Sequence, residues 1–313
     1  MRSLRLRALA VLPVAALVIG AGLAAAQPAA PSAAPATDTF TPHHVAKLRS
    51  VGSATISPDG SMVAYTLVVP RIPMVDEDGG AWEELHIVGK DQVSRPFVTG
   101  DVNVGAVRWA ADGRSLTFLA RRGKDTARSL YRIAVDGGEA RRLFAHETDI
   151  ASYAFSPDGT QVAFTARESA SKARKDLEKK GFNQELFEEE VPAVRVFVAA
   201  LGAEATPPRR LPLTGSASTI AWSPAGNRLA VALAPTPLVD DDLMMRRVHI
   251  VDTDNGAVVA KLENPGKLGQ VAWSPDGSHV AMVSGADLND PAAGRLLVAR
   301  ATGGALEDVL PNY

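Results

Sequence analysis

The sequence contains no cysteine among its 313 residues. This absence excludes disulfides, a thiol nucleophile, a lipid-modified cysteine after an export signal and every metal site built on cysteine. A surplus of charge of one sign is also missing, because 33 lysines and arginines stand against 35 acidic residues and the formal net charge is −2. Without a basic surplus to displace the counterions of phosphates, we expect no nucleic-acid partner.

Catalytic and metal-binding signatures are missing as well. No Gly-x-Ser-x-Gly segment, which would expose a nucleophilic serine at a strand-to-helix turn, occurs in the sequence. The six histidines lack the spacing of metal ligands. The segment 252–256 begins like a calcium loop, but Gly256 stands at a ligand position, so we interpret the segment as a hairpin turn. We therefore expect no metal, no cofactor and no catalytic residue in this chain.

The first 39 residues have the composition of an export signal followed by a tether. A start with three arginines precedes an apolar run that ends in Ala24-Ala25-Ala26, which predicts a signal peptide over residues 1–26. The alternative is an uncleaved membrane anchor, although a proline and glycines interrupt the run. Residues 27–39 form a Pro/Ala-rich leader. We expect a bacterial protein of the periplasm or the exterior, with no membrane contact beyond the signal peptide.

From residue 51 onward one short unit recurs five times. Its copies are Ile56-Ser57-Pro58-Asp59-Gly60, Trp109-Ala110-Ala111-Asp112-Gly113, Phe155-Ser156-Pro157-Asp158-Gly159, Trp222-Ser223-Pro224-Ala225-Gly226 and Trp273-Ser274-Pro275-Asp276-Gly277. The glycines of successive copies are 53, 46, 67 and 51 residues apart. A period in this range is typical of propeller blades.

Each copy combines the features of a tight turn between two strands. Proline fixes φ, aspartate hydrogen-bonds to its own backbone, and glycine accepts the turn geometry. A strand-forming segment follows every copy, such as Val162-Ala163-Phe164-Thr165, and in the second copy two further strands, 130–135 and 140–144, complete a four-stranded unit. The sequence therefore predicts an all-β fold over residues 40–313, a β-propeller with five recognisable blades, in preference to a β-sandwich with coincidental turns.

The third interval exceeds the others, and the excess lies between Arg167 and Pro192. The segment 169–180 is strongly charged and helix-prone, and Gly181 is a residue that ends helices. Asn183 can cap a second short helix. We predict a small helical insertion in blade three, between its second and third strands.

Segments outside the repeat resemble a known family. The opening Phe40-Thr41-Pro42, running through 47–52 into the first repeat, is similar to the beginning of bacterial acylaminoacyl- and dipeptidyl-peptidase-like proteins. The insertion 180–190, leading into 194–198, also resembles those members. The repeat alone is shared by many propellers, including the TolB-like ones. Over residues 40–310 the chain resembles the N-terminal propeller of the prolyl oligopeptidase family of serine peptidases.

The resemblance implies a function for the whole protein that this chain cannot perform alone. In that family the propeller caps a C-terminal hydrolase domain and filters or anchors short peptide substrates, and it usually has more than five blades. Here no hydrolase domain follows the fifth repeat, so we expect an incomplete propeller, a fragment of an exported peptidase. The alternative is a stand-alone five-bladed, TolB-like protein that binds a periplasmic protein partner.

The candidate site residues are Glu188, Glu189 and Glu190. In the dipeptidyl-peptidase branch an insertion carries adjacent glutamates after an aromatic residue, and they hold the free α-ammonium of the peptide. Phe187 followed by the three glutamates resembles that motif, with phenylalanine where the branch usually has tyrosine. Two fixed carboxylates can pair with one ammonium through charge-assisted hydrogen bonds. The alternative is a solvated acidic run on a surface insertion.

Overall fold

A computed structural model of the chain describes residues 40–201, 207–289 and 294–311. The predicted signal peptide and leader lie outside these residues. Across the described part of the chain, no helix combines the length and the apolar character needed to span a bilayer.

The described residues contain twenty strands and three short helices. In chain order they are α1 Pro42–Val45, β1 Ser50–Ile56, β2 Met62–Val69, β3 Trp82–Gly89, β4 Ser94–Val98, β5 Gly105–Trp109, β6 Ser115–Ala120, β7 Ser129–Ala134, β8 Arg141–Phe144, β9 Ile150–Phe155, β10 Gln161–Arg167, α2 Lys172–Glu178, β11 Val194–Ala200, β12 Arg209–Arg210, β13 Ser216–Trp222, β14 Arg228–Ala234, α3 Val239–Met244, β15 Arg247–Asp252, β16 Val258–Leu262, β17 Leu268–Trp273, β18 His279–Gly285, β19 Gly294–Arg300 and β20 Glu307–Asp308.

These strands form five antiparallel sheets of four strands each, and every sheet takes its strands in sequence order. The recurring turn joins the first and second strands of each sheet, as the sequence predicts. The register also repeats, because Trp109 pairs with Leu116, Trp222 with Leu229 and Trp273 with Val280. The predicted fold class, an all-β propeller of four-stranded blades, is confirmed. Blades 1 to 5 below are these sheets in chain order.

The recurring turn is held by a network of side chains. Ser57 Oγ donates to Asp59 Oδ1 at 2.6 Å, and the backbone N–H of Ser61 donates to the same oxygen at 3.0 Å. The hydrogen bonds from Ser57 and Ser61 lower the pKa of Asp59 from 3.8 to about 2. Gly60 completes the turn with φ at 69°, in the left-handed region that favours glycine. The corresponding serines of blades 3 and 5 donate to Asp158 and Asp276 in the same way.

The hydrophobic core lies between blades. Four buried clusters each combine residues of two consecutive blades. Along β6, Phe118 packs in the cluster shared with blade 1, whereas its neighbour Leu119 packs in the cluster shared with blade 3. Successive side chains of a strand point to opposite faces, so a strand covered on both faces is buried along its whole length. This explains why all six residues of β6 are buried.

A hydrogen bond repeats between the innermost strands of consecutive blades. Trp109 Nε1 donates to the carbonyl oxygen of Thr55 at 3.0 Å, Trp222 Nε1 to that of Ala154 at 2.8 Å, and Trp273 Nε1 to that of Ala221 at 3.0 Å. Between blades 2 and 3, the Tyr153 hydroxyl donates to the carbonyl oxygen of Ala106 at 2.7 Å. The tryptophans that end the first strands therefore contribute to the core and also align one blade against the next.

One local expectation needs correction. The segment after Asn183 forms turns and no second helix, so the insertion contains one helix, α2. Residues 183–190, which include Glu185 two positions after Asn183, present no apolar face of helical period. A helix over these residues would therefore gain nothing from packing against the sheet. The acidic run Asp240–Asp242 lies in the first turn of α3. Carboxylates in that position are stabilised by the helix dipole.

Candidate functional site

The candidate site is built on the insertion between β10 and β11 of blade 3. Ser171 caps α2, because its Oγ accepts a hydrogen bond from the backbone N–H of Arg174 at 3.1 Å. Gly181 follows the helix with φ at 89°, and its N–H donates to the carbonyl oxygen of Glu178 at 2.9 Å. The chain then reverses and returns over residues 182–192 to β11 without regular structure.

Arg174 ties the returning segment to the helix. Its Nε donates to Glu178 Oε1 at 3.0 Å, one turn further along α2. Its Nη2 donates to the carbonyl oxygen of Gln184 at 2.7 Å, and its Nη1 lies 3.8 Å from Glu190 Oε2. One guanidinium thus contacts three points of the insertion and fixes where the glutamate run lies.

The three predicted site residues are all placed in this returning segment. Glu188 and Glu190 have φ of 60° and 53°, in the left-handed region that non-glycine residues seldom adopt. The N–H of Glu189 donates to the carbonyl oxygen of Leu186 at 3.1 Å, which closes a turn. Glu190 is the member that faces Arg174, and among the described residues no ion pair involves Glu188 or Glu189. Two neighbouring carboxylates are therefore available to a cation from outside the chain.

The glutamate run lines a cavity of about 800 Å³ between the insertion and the segment that begins α3. Five glutamates and two arginines line this cavity, so its polar wall is acidic. The remainder of the wall is largely apolar and is made by Leu177, Leu186, Phe187, Val191, Pro192, Pro237, Leu238 and Val239. Phe187 is 86% exposed, which leaves its ring free to contact a ligand. Acidic groups beside apolar side chains suit a ligand that carries a positive charge next to a hydrophobic group.

Sequence reasoning found the glutamates and missed two parts of this arrangement. The role of Arg174 has a weak signal in the sequence, its position four residues before Glu178, but nothing in the sequence indicates its bond to Gln184. Residues 237–239, which form part of the cavity wall, belong to blade 4. They lie near the glutamates only because blade 4 packs against blade 3. Whether the glutamates bind a peptide amino terminus stays a prediction.

Comparison with known proteins supports the relation suggested by the opening and the insertion. No protein-family model matches the chain. Dipeptidyl-peptidase 5 of Porphyromonas endodontalis is 28% identical over 128 residues, which are 41% of this chain and 18% of that peptidase. The acylaminoacyl peptidase of Pyrococcus horikoshii has the same fold over 87% of this chain and 40% of that one, with a TM-score of 0.58 and 12% identity. TolB of Acinetobacter baumannii matches 81% of this chain and 52% of its own, with a TM-score of 0.47 and 15% identity.

The fold and these comparisons define the class of protein as a β-propeller of four-stranded blades. More particularly, this chain is similar in sequence to dipeptidyl-peptidase 5 over 41% of its length, and it shares the propeller fold of the acylaminoacyl peptidase of Pyrococcus horikoshii. The chain covers well under two thirds of the length of the peptidases it matches. The predicted resemblance is thereby confirmed at the level of the propeller.

Proposed function

We propose that this chain is the propeller portion of an exported serine peptidase of the prolyl oligopeptidase family, which acts on short peptides. The propeller admits and orients the peptide, and a hydrolase domain beyond Tyr313 supplies the nucleophile and cleaves it. The sequence similarity to dipeptidyl-peptidase 5 and the absence of a Gly-x-Ser-x-Gly segment support this division of labour.

The insertion has a specific role in this proposal. Glu188 and Glu189 receive the α-ammonium of the substrate, and Arg174, paired with Glu178 within α2, holds the segment in place through Gln184 and Glu190. The observation that carries the proposal is a pair of glutamates, adjacent in the chain, that line a partly apolar cavity and have no ion-pair partner among the residues the structure describes. An ammonium with two carboxylate acceptors gains charge-assisted hydrogen bonds, which exceed neutral ones in strength.

Binding to the isolated chain tests this role. A dipeptide amide with an apolar first residue is titrated calorimetrically, beside its N-acetylated form, which has no ammonium. Acetylation, and the double substitution Glu188→Gln with Glu189→Gln, should each weaken binding by about tenfold or more. Glu77→Gln, in the exposed loop between β2 and β3, is the matched control and should leave the affinity unchanged. Equal affinity for the free and acetylated peptides would contradict the role of the glutamates.

The division of labour has its own test in the reading frame past the codon for Tyr313. We expect it to continue to a Gly-x-Ser-x-Gly segment, and we expect purified residues 27–313 to turn over no aminoacyl or dipeptidyl chromogenic substrate. A stop codon directly after Tyr313 would instead favour the stand-alone module that binds a periplasmic protein. Turnover by the purified chain would contradict the claim that it is not catalytic alone.

A further inference from the structure

A second cavity, of about 670 Å³, lies between blades 2 and 3. Strand β11 begins at the insertion and ends at this cavity, so the cavity and the glutamate run lie at opposite ends of blade 3. Blades 2 and 3 each pack against a neighbouring blade on both sides. Four arginines line the cavity against two carboxylates, Asp136 and Glu139 of the hairpin between β7 and β8, so its polar wall is basic on balance.

One of these arginines departs from the pattern of the other blades. In β6, Thr117 stands one residue after the cross-strand partner of Trp109, and the partner of Thr117 on the third strand is Arg132. The same register in the other four blades places alanine opposite a β-branched apolar residue, which is Ile87, Val198, Ile250 or Val298. The first three of these are at most 7% exposed, and each packs in the cluster between its own blade and the next. Arginine thus stands where other blades fill the contact with the following blade.

The guanidinium of Arg132 is held at the cavity by a neutral partner. Its Nε donates to Ser115 Oγ at 2.7 Å, and Ser115 is buried. Its Nη2 lies 3.4 Å from Asp112 Oδ2, and both of those side chains are about half exposed. An ion pair of this length and exposure contributes little. The position of the guanidinium is therefore fixed, while its charge stays largely available to a ligand.

A second arginine, Arg141 of β8, stands directly opposite Arg132 across the two strands. Like charges opposite each other destabilise a sheet, and an anion bound between them removes this repulsion. Arg141 and Arg114 both line the cavity and are exposed, and among the described residues neither forms an ion pair. The fourth arginine, Arg142, is instead paired with Asp125 at 2.5 Å. Three guanidiniums without a close carboxylate partner therefore meet at one cavity.

The charge and the remaining wall of the cavity define the chemistry of a ligand. A phosphate monoester has three terminal oxygens and nearly two negative charges, so it can accept hydrogen bonds from two facing guanidiniums at once. A carboxylate has two oxygens and one charge, which match a single guanidinium. Beside the arginines the wall is apolar and includes Leu143, Phe144, Leu201 and Pro208.

We propose that this cavity binds a phosphate monoester carried on an apolar group. The phosphate lies between Arg132 and Arg141, and the apolar group packs against Phe144 and Leu201. Arg114 adds a third positive charge at the same cavity. The proposal does not depend on the proposed peptidase function, because the two cavities lie at opposite ends of blade 3, and either can fail without the other.

Calorimetric titration of the purified chain with phenyl phosphate tests the proposal, at about pH 8, where the monoester carries nearly two charges. We expect a Kd below about 1 mM. Inorganic phosphate lacks the apolar group and benzoate lacks the second charge, so each should bind at least about tenfold more weakly. No binding of phenyl phosphate would overturn the proposal. Equal affinity for benzoate would overturn the choice of phosphate, and equal affinity for inorganic phosphate would overturn the role of the apolar wall.

Two variants test the facing arginines. Arg141→Gln should weaken the binding of phenyl phosphate at least about tenfold, without lowering the thermal unfolding midpoint of the free chain, because it removes a like charge from an exposed strand. Arg132→Ile introduces the residue type that blades 1 and 4 have at this position, so the chain should fold and binding should be lost. Unchanged affinity in either variant would overturn the proposal.

Arg121→Gln is the matched control. Arg121 is an exposed arginine of the same blade, but it follows the opposite end of β6 and pairs with Asp149. This variant should bind phenyl phosphate as the unmodified chain does. If Arg121→Gln weakened binding as much as Arg141→Gln, the phosphate would be attracted by the cationic surface in general, and the proposed site would be refuted.

Discussion

Replacement of Trp222 by phenylalanine tests whether the repeated hydrogen bond holds consecutive blades together. Trp222 is 9% exposed, packs in the cluster between blades 3 and 4, and donates from Nε1 to the carbonyl oxygen of Ala154 at 2.8 Å. Phenylalanine keeps the aromatic character of the site but removes the N–H and part of the ring volume. The substitution therefore isolates the two contributions that the tryptophan makes beyond a simple aromatic residue.

The expected loss follows from these two contributions. A hydrogen bond within a protein contributes a net ~1 kcal/mol to the free energy of unfolding. The smaller ring leaves unfilled volume in a packed cluster, which costs about another 1 kcal/mol. We expect Trp222→Phe to lower the free energy of unfolding by about 2 kcal/mol, measured by guanidinium unfolding with far-ultraviolet circular dichroism.

Trp82→Phe is the matched control. Trp82 lies in β3 under the guanidinium of Arg71, 4.0 Å from the ring centre, and within the described residues no acceptor meets its Nε1. The same chemical change at this position should cost about 0.5–1 kcal/mol through the weaker cation–π contact and lost packing. If Trp222→Phe cost no more than Trp82→Phe, the hydrogen bond between blades would contribute nothing and the reasoning would be refuted.

Two further predictions concern the turn and the insertion. The pKa of Asp59 is about 2 in the folded chain against 3.8 unfolded, so the unfolded state binds more protons and stability falls as the pH falls from 3.8 towards 2. Asp59→Asn should reduce this acid-side slope of the unfolding free energy in a pH titration, and an unchanged slope would contradict the assignment. Arg174→Ala should increase amide hydrogen exchange over residues 182–190 without changing global unfolding, since it removes two tethers of that segment, to Gln184 and Glu190. Lys179→Ala, which breaks only an exposed 3.7 Å ion pair with Asp176, should leave that exchange unchanged, and equal effects of the two variants would argue against the role of Arg174.

Much of the blade architecture was predictable because its determinants are local. The turn needs proline, aspartate and glycine at fixed neighbouring positions, and the strand after it needs only an apolar pattern. Helix α2 was predictable for the same reason, because its determinants are also close together in the chain. Ser171 caps its start, and Gly181 follows its end. It also explains the error after Asn183, since a capping residue begins a helix only where the following residues gain enough from packing.

The candidate site was predictable in part for the same reason. The glutamate run stands out in the sequence, and its resemblance to a peptidase motif points to an ammonium ligand. The cavity around the glutamates could not be predicted from the sequence, because its wall combines residues of blades 3 and 4 that are far apart in the chain. The left-handed conformation of Glu188 is likewise a property of the folded segment and has no signature in the residue type.

The sequence by itself therefore determined the repeating unit, the strand order within each blade and the position of the insertion, since all of these depend on contacts between near neighbours in the chain. Only the tertiary structure decided which faces are covered. The second strand of each blade has apolar residues on both faces, and the sequence of β18 gives no sign that Val283 is 42% exposed while its neighbour Met282 is buried. Burial depends on the blade that lies opposite, and the residues of a strand carry no record of whether that blade is present.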